Sequence, residues 1–239
     1  MGNSKMNEPR VIVALDYDDK AKALAFVDSL DPALCKLKVG KEMFTLFGPD
    51  FVKSLVGKGF DVFLDLKFHD IPNTVAKACK AAAELGVWMV NVHASGGLPM
   101  MEAAKAAIAS SSHPQTKLIA VTVLTSMDDA QLADVVSGVT PEQQVLKLAK
   151  LTQRAGLDGI VCSAKEATAL REYMDDDFLL VTPGIRPAGS AAGDQKRVMT
   201  PEDAIRHGVS YLVMGRPIAQ ADSPLDVLTS VNESLAGLL

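Results

Sequence analysis

The stretch Gly59-Phe60-Asp61-Val62-Phe63-Leu64-Asp65-Leu66-Lys67-Phe68-His69-Asp70-Ile71-Pro72 holds the pattern from which the fold is read. A glycine-led turn enters an apolar run of strand length, the run ends in charged groups, and a proline then opens a helical stretch. Nearly continuous hydrophobic interiors mark strands covered on both faces, as in a parallel sheet. The same unit recurs outward in both directions. Strands are predicted at 11–16, 34–40, 61–67, 87–93, 117–124, 158–163, 178–182 and 210–215. Helical stretches rich in Ala, Lys, Glu and Leu lie between them, among them 18–29, 72–85, 98–110, 142–155, 164–173 and 201–207. Several open on a capping signal, as in Thr200-Pro201-Glu202-Asp203, and several end before a glycine, as at Gly86, Gly156 and Gly208.

Strands alternating with helices in this way predict an α/β protein, a single (β/α)8 TIM barrel. An open doubly wound sheet is the alternative, because a strand count does not prove closure. The ends of the predicted strands favour the barrel. They carry Asp16, Lys38, Asp65 with Lys67, His93, Thr125, Ser163, Pro183 with Gly184, and Gly215 with Arg216. Barrel enzymes place their chemistry at these C-terminal ends. The glycine-rich segment 184–196 is expected to be a mobile loop.

The 239 residues, 48% of them apolar, suffice for one large core, and no composition break divides them. Residues 10–239 are expected to form the barrel. Residues 1–9 are polar and read as a disordered or non-native N-terminus, with Met6 a candidate native start. They lack the apolar segment of a signal peptide. No apolar run approaches the roughly 20 residues of a membrane helix. The net charge of −5 argues against a polyanion-binding face, which needs clustered basic groups, but not against one phosphorylated small molecule. Cys35, Cys79 and Cys162 sit in apolar runs and read as reduced core thiols of a cytoplasmic protein, not as a disulfide framework.

Chemistry concentrates in Asp65-Leu66-Lys67. Residues two apart on a strand share a face, so Asp65 and Lys67 are predicted to point together into the barrel mouth, with Leu66 outward. A structural ion pair would also account for them. Lys38, at the end of the second strand, adds a further cation where a purely structural core would use Val or Ile. Lys36 shares a face with Lys38 and should point inward too, with no partner evident. Thr182-Pro183-Gly184-Ile185-Arg186 and Met214-Gly215-Arg216 end the seventh and eighth strands, where barrels recurrently bind phosphate through glycine amides and an arginine fork. His69 and His93 could be catalytic or structural. No metal-ligand spacing, GxSxG or Walker pattern occurs, so no metal is expected.

Asp65-Leu66-Lys67-Phe68-His69-Asp70-Ile71-Pro72-Asn73-Thr74 resembles the signature of orotidine 5′-monophosphate decarboxylases, bacterial branch. Ala14-Leu15-Asp16, Leu37-Lys38-Val39-Gly40, the 181–186 and 193–195 segments and Val213-Met214-Gly215-Arg216-Pro217 extend the likeness, in order, to the C-terminus. The resemblance implies decarboxylation of orotidine 5′-monophosphate to uridine 5′-monophosphate, the last step of de novo pyrimidine nucleotide synthesis, without a cofactor. It implies that Lys67 protonates C6 of the pyrimidine, that Asp65 faces the substrate carboxylate, and that Lys38 and Asp16 reach the ribose. Thr125 and Ser126 would read the pyrimidine edge, and Pro183, Arg186, Gln195, Gly215 and Arg216 would line the substrate's phosphate side. It further implies a homodimer in which Asp70 and Thr74 serve the partner's site. Two rivals remain open at this point. One is a magnesium-dependent keto-sugar-phosphate decarboxylase, against which Lys38 stands where a metal ligand would be wanted. The other is a non-catalytic nucleotide-binding barrel.

Overall fold

The computed structural model describes residues 8–187 and 199–238. The strands are β1 (Val11–Leu15), β2 (Lys36–Gly40), β3 (Val62–Phe68), β4 (Met89–His93), β5 (Lys117–Val121), β6 (Gly159–Val161), β7 (Leu179–Pro183) and β8 (Tyr211–Met214). The helices are α1 (Lys20–Val27), α2 (Lys41–Gly57), α3 (Pro72–Ala83), α4 (Leu98–Ala109), α5 (Asp129–Ala133), α6 (Pro141–Arg154), α7 (Ala164–Arg171), α8 (Pro201–Arg206), α9 (Arg216–Ala219) and α10 (Pro224–Leu235). Each strand pairs in parallel with its successor, and β8 pairs back onto β1, so the sheet is a closed barrel and not an open one.

Period-two alternation sorts the strand residues into two cores. Val11, Val13, Leu37, Val39, Val62, Leu64, Val90 and Val92 face outward and pack under the helices. Ile12, Phe63, Met89, Ile119, Val181, Tyr211 and Val213 face inward and fill the barrel. Gly159 belongs to the inward set, and a Cβ there would stand 2.2 Å from the Leu179 carbonyl oxygen, so only glycine lets β6 lie so close to β7. The three cysteines are buried, and burial pushes each thiol up to about 12, as inert core groups require.

Lys36 does point inward, at the N-terminal floor of the barrel, and it has partners. Its ammonium meets Asp61 at 2.6 Å and Glu8 at 3.0 Å and lies 4.3 Å from the centroid of the Trp88 ring. Tyr211 donates its hydroxyl to Glu8 at 2.8 Å, and its ring packs edge-on against Trp88. The helix after β2 bends at Gly48 (φ 68°), where Pro49 follows without an amide to donate. Ser163 and Glu166 form a capping box at the start of α7, and Thr200 caps α8 by accepting the Asp203 amide.

Candidate active site

At the C-terminal end of β3 the ladder with β4 loses its regular step. Leu64 stands opposite Val90 and Phe68 opposite Val92, so β3 takes four steps where β4 takes two. The surplus bulges out of register. Parity therefore orients Asp65, but it does not account for Lys67. Lys67 is in the left-handed region (φ 54°), the only non-glycine residue with positive φ among the described residues. Such a conformation costs on the order of 1–3 kcal/mol and persists where surrounding bonds hold it. Its amide donates to Asn91 Oδ1 at 2.8 Å, and its ammonium meets Asp65 Oδ1 at 2.5 Å.

Asp65 is the hub. Besides Lys67, it accepts Asn91 Nδ2 at 2.8 Å and pairs with Lys38 Nζ at 3.1 Å through its other oxygen. Burial pushes the Asp65 carboxyl upward, but Lys38, Lys67 and the Asn91 bond outweigh it and hold the group below the usual carboxylate range. The carboxylate thus stays ionised and both ammoniums stay close to it. His93 lies beside them with its ring 5.6 Å from that of His69. Burial lowers the His93 imidazole, and His69, Lys41 and Lys67 lower it further, which favours the neutral ring.

Lys38, Asp65 and Lys67 line one wall of a cavity of about 220 Å³. Val121, Val161, Val181 and Val213 line much of the rest, with Thr125 and Pro183 at its rim. A second cavity, about 360 Å³, adjoins it across Thr125 and Pro183 and takes in Ser126 and Gly184. Together the two have the volume range of a small-ligand site. The chain thus brings together Lys38, Asp65, Lys67, Thr125 and Pro183, with Ser126 next door.

The remaining expected residues lie around this centre. Asp16 is exposed just past β1, and Gly215 follows β8 close enough to Ala14 that a Cβ would contact it at 3.6 Å. Arg216 opens α9 and is exposed, whereas Arg186 is buried, with its amide bonded to the Met199 carbonyl at 3.1 Å. Gln195 and most of the 184–196 segment lie outside the described residues. Asp70 and Thr74 are exposed on the rim after β3, and neither lines the cavity. Asp70 accepts the Ile71 amide at 2.6 Å and forms no ion pair with Lys67 among the described residues. Among those residues no group of three His, Cys, Asp or Glu side chains is placed to hold a metal ion.

Sequence reasoning missed Asn91. Its signal was available: an amide in the middle of Val90-Asn91-Val92, on the same strand parity as the inward Met89.

A family model described as "Orotidine 5'-phosphate decarboxylase / HUMPS family" matches residues 9–231. The orotidine 5′-phosphate decarboxylase of Pseudoalteromonas atlantica is 61% identical over 231 residues, covering 97% of this chain and 100% of that protein. The protein of the same name from Vibrio parahaemolyticus is 62% identical over 231 residues, covering 97% and 99%. Among solved structures, an orotidine 5′-phosphate decarboxylase from Lactobacillus acidophilus superposes with a TM-score of 0.85 at 41% identity, covering 95% of this chain and 98% of its own. An uncharacterized conserved protein from Geobacillus kaustophilus gives a TM-score of 0.81 at 37% identity, covering 94% and 99%.

Proposed function

Because the chain belongs to the orotidine 5′-phosphate decarboxylase / HUMPS family, we propose that it converts orotidine 5′-monophosphate to uridine 5′-monophosphate and carbon dioxide, with Lys67 as proton donor. The observation that carries this reading is the Lys38–Asp65–Lys67 cluster in a cavity at the barrel mouth whose other lining residues are mostly apolar. Breaking the bond between C6 and the carboxylate carbon leaves its electron pair on C6, in the ring plane, where the ring carbonyls delocalise it poorly. A preorganised cation beside C6 stabilises that charge in an environment with little water to screen it. Lys67 then gives a proton to C6, forming the C6–H bond as carbon dioxide departs. Asp65 keeps the ammonium charged and aimed, and its own charge faces the carboxylate being lost.

The barrier reduction needed for so slow a reference reaction is on the order of 20 kcal/mol, more than one charge pair supplies. Remote contacts must contribute, and the rim offers them. Lys38 and Asp16 hold the ribose, Thr125 and Ser126 read the pyrimidine edge, and Pro183, Arg186, Gln195, Gly215 and Arg216 serve the phosphate side. Asp70 and Thr74 complete the site of a second subunit in a homodimer. One feature favours this: among the described residues Asp70 makes no ion pair with its own Lys67. No helix among the described residues is long and apolar enough to cross a membrane, and the reduced thiols fit a cytoplasmic enzyme. A magnesium-dependent sugar-phosphate chemistry is disfavoured by Lys38 and Lys67, which occupy both oxygens of Asp65.

The test is loss of ultraviolet absorbance from orotidine 5′-monophosphate in chelator-treated buffer. The protein should consume it, and Lys67→Ala should abolish turnover while still binding uridine 5′-monophosphate. Near-normal turnover by Lys67→Ala would remove Lys67 from the chemistry, and no turnover by the unaltered protein would overturn the activity itself.

A further inference from the structure

Asn91 is fully buried in the middle of β4, and both of its side-chain bonds go to the charged end of β3. Its Nδ2 donates to Asp65 Oδ1 and its Oδ1 accepts the Lys67 amide, each at 2.8 Å. The chemistry of the partners fixes the orientation of the amide. A backbone N–H can only donate, so the oxygen must face Lys67; an ionised carboxylate can only accept, so the nitrogen must face Asp65. A single carboxamide supplies both the donor and the acceptor. Asn91 does not line the cavity, so it does not meet the substrate.

We infer that Asn91 is a positioning residue, a two-ended clamp that holds the left-handed backbone of Lys67 and the Asp65 carboxylate in one geometry and so aims the ammonium at the substrate. The β3 bulge takes Lys67 out of the regular ladder, which leaves its amide dependent on a side chain. The positive φ is disfavoured for lysine, and the bond from Asn91 opposes its relaxation. Small misplacements of a reacting group are costly in rate even when binding survives. This inference rests on the reading that Lys67 delivers the proton.

Three variants test it. Asn91→Ala removes both bonds. Asn91→Asp is nearly isosteric, keeps an acceptor for the Lys67 amide, and replaces the donor facing Asp65 with an oxygen. Thr116→Val is the control, since it deletes a buried hydroxyl bond to the Val87 carbonyl, remote from the cavity. For Asn91→Ala, kcat should fall about 10- to 100-fold. KM and the Kd for uridine 5′-monophosphate should stay within about twofold. The acid limb of kcat/KM should move to higher pH, because a donor that lowers the Asp65 carboxyl is gone. Asn91→Asp should move the limb further the same way, since adjacent carboxyls resist ionising together. Substrate ionisation affects all variants alike. The inference is overturned if, at matched loss of thermal stability, Asn91→Ala keeps the kcat and acid limb of Thr116→Val. If Asn91→Ala does not fold, Asn91→Asp decides by the same two readouts. Normal turnover by Lys67→Ala would instead sink the underlying reading.

Discussion

Lys36 and Lys38 share the inward face of β2, separated by about 7 Å of strand. The first is sealed at the floor by Asp61, Glu8 and the Trp88 ring, while the second stands in the mouth against Asp65. Lys36→Met should therefore cost stability, about 1–3 kcal/mol by denaturant titration, because it strands two partly exposed carboxylates. Its kcat should remain within about twofold of normal. A matching loss of kcat would mean that the two ends of the barrel are coupled. The pH dependence follows from Glu8. Burial raises its carboxyl, but the Tyr211 hydroxyl and Lys36 lower it by more, so its folded value lies below its unfolded one. The stability it contributes is present above the unfolded value and drains as pH falls through the folded value. Lys36→Met should flatten that acid-side loss. The sequence showed that Lys36 turns inward but hid its partners, since Glu8 and Asp61 precede β1 and β3 and meet Lys36 only when both strands pair with β2.

At the scale of the element, alternation was legible wherever strands were regular. All eight appear within a few residues of their predicted bounds, and their inward and outward sets separate as period two requires. The reading weakened where backbone departs from the ladder. Asp65 and Lys67 share the cavity as expected, yet through a bulge and a left-handed lysine that residue types alone do not announce. Gly159 is a further case, a glycine whose need arises from a strand twenty residues on. Gly159→Ala should lose about 1–3 kcal/mol to overpacking. By calorimetry that corresponds to a Tm lower by about 2–12 °C. An unchanged Tm would show that β6 and β7 can part without cost.

For the whole molecule, the direction of the strands put Lys38, Asp65 and Lys67 at the C-terminal end, which is why the mouth could be located before its geometry was known. The rim was less legible. Asp70 and Thr74 carry the family signature but stand clear of their own chain's cavity, as groups that work across a two-fold axis would. On that arrangement, inactive Lys67→Ala and inactive Asp70→Ala proteins, mixed and allowed to exchange subunits, should regain about a quarter of normal activity, because each mixed dimer keeps one intact site. No recovery after verified exchange would confine Asp70 to its own subunit.

The packed interior beneath the cavity has one more implication. Ile12, Phe63, Met89 and Ile119 are buried inside the barrel, and Lys36 with its ring and carboxylate neighbours packs its base. Both cavities lie toward the opposite end, largely among residues that end or follow the strands. On the proposed reaction, a nucleotide held there would enter and leave by the lip at that end, so whatever covers the lip would govern traffic in both directions.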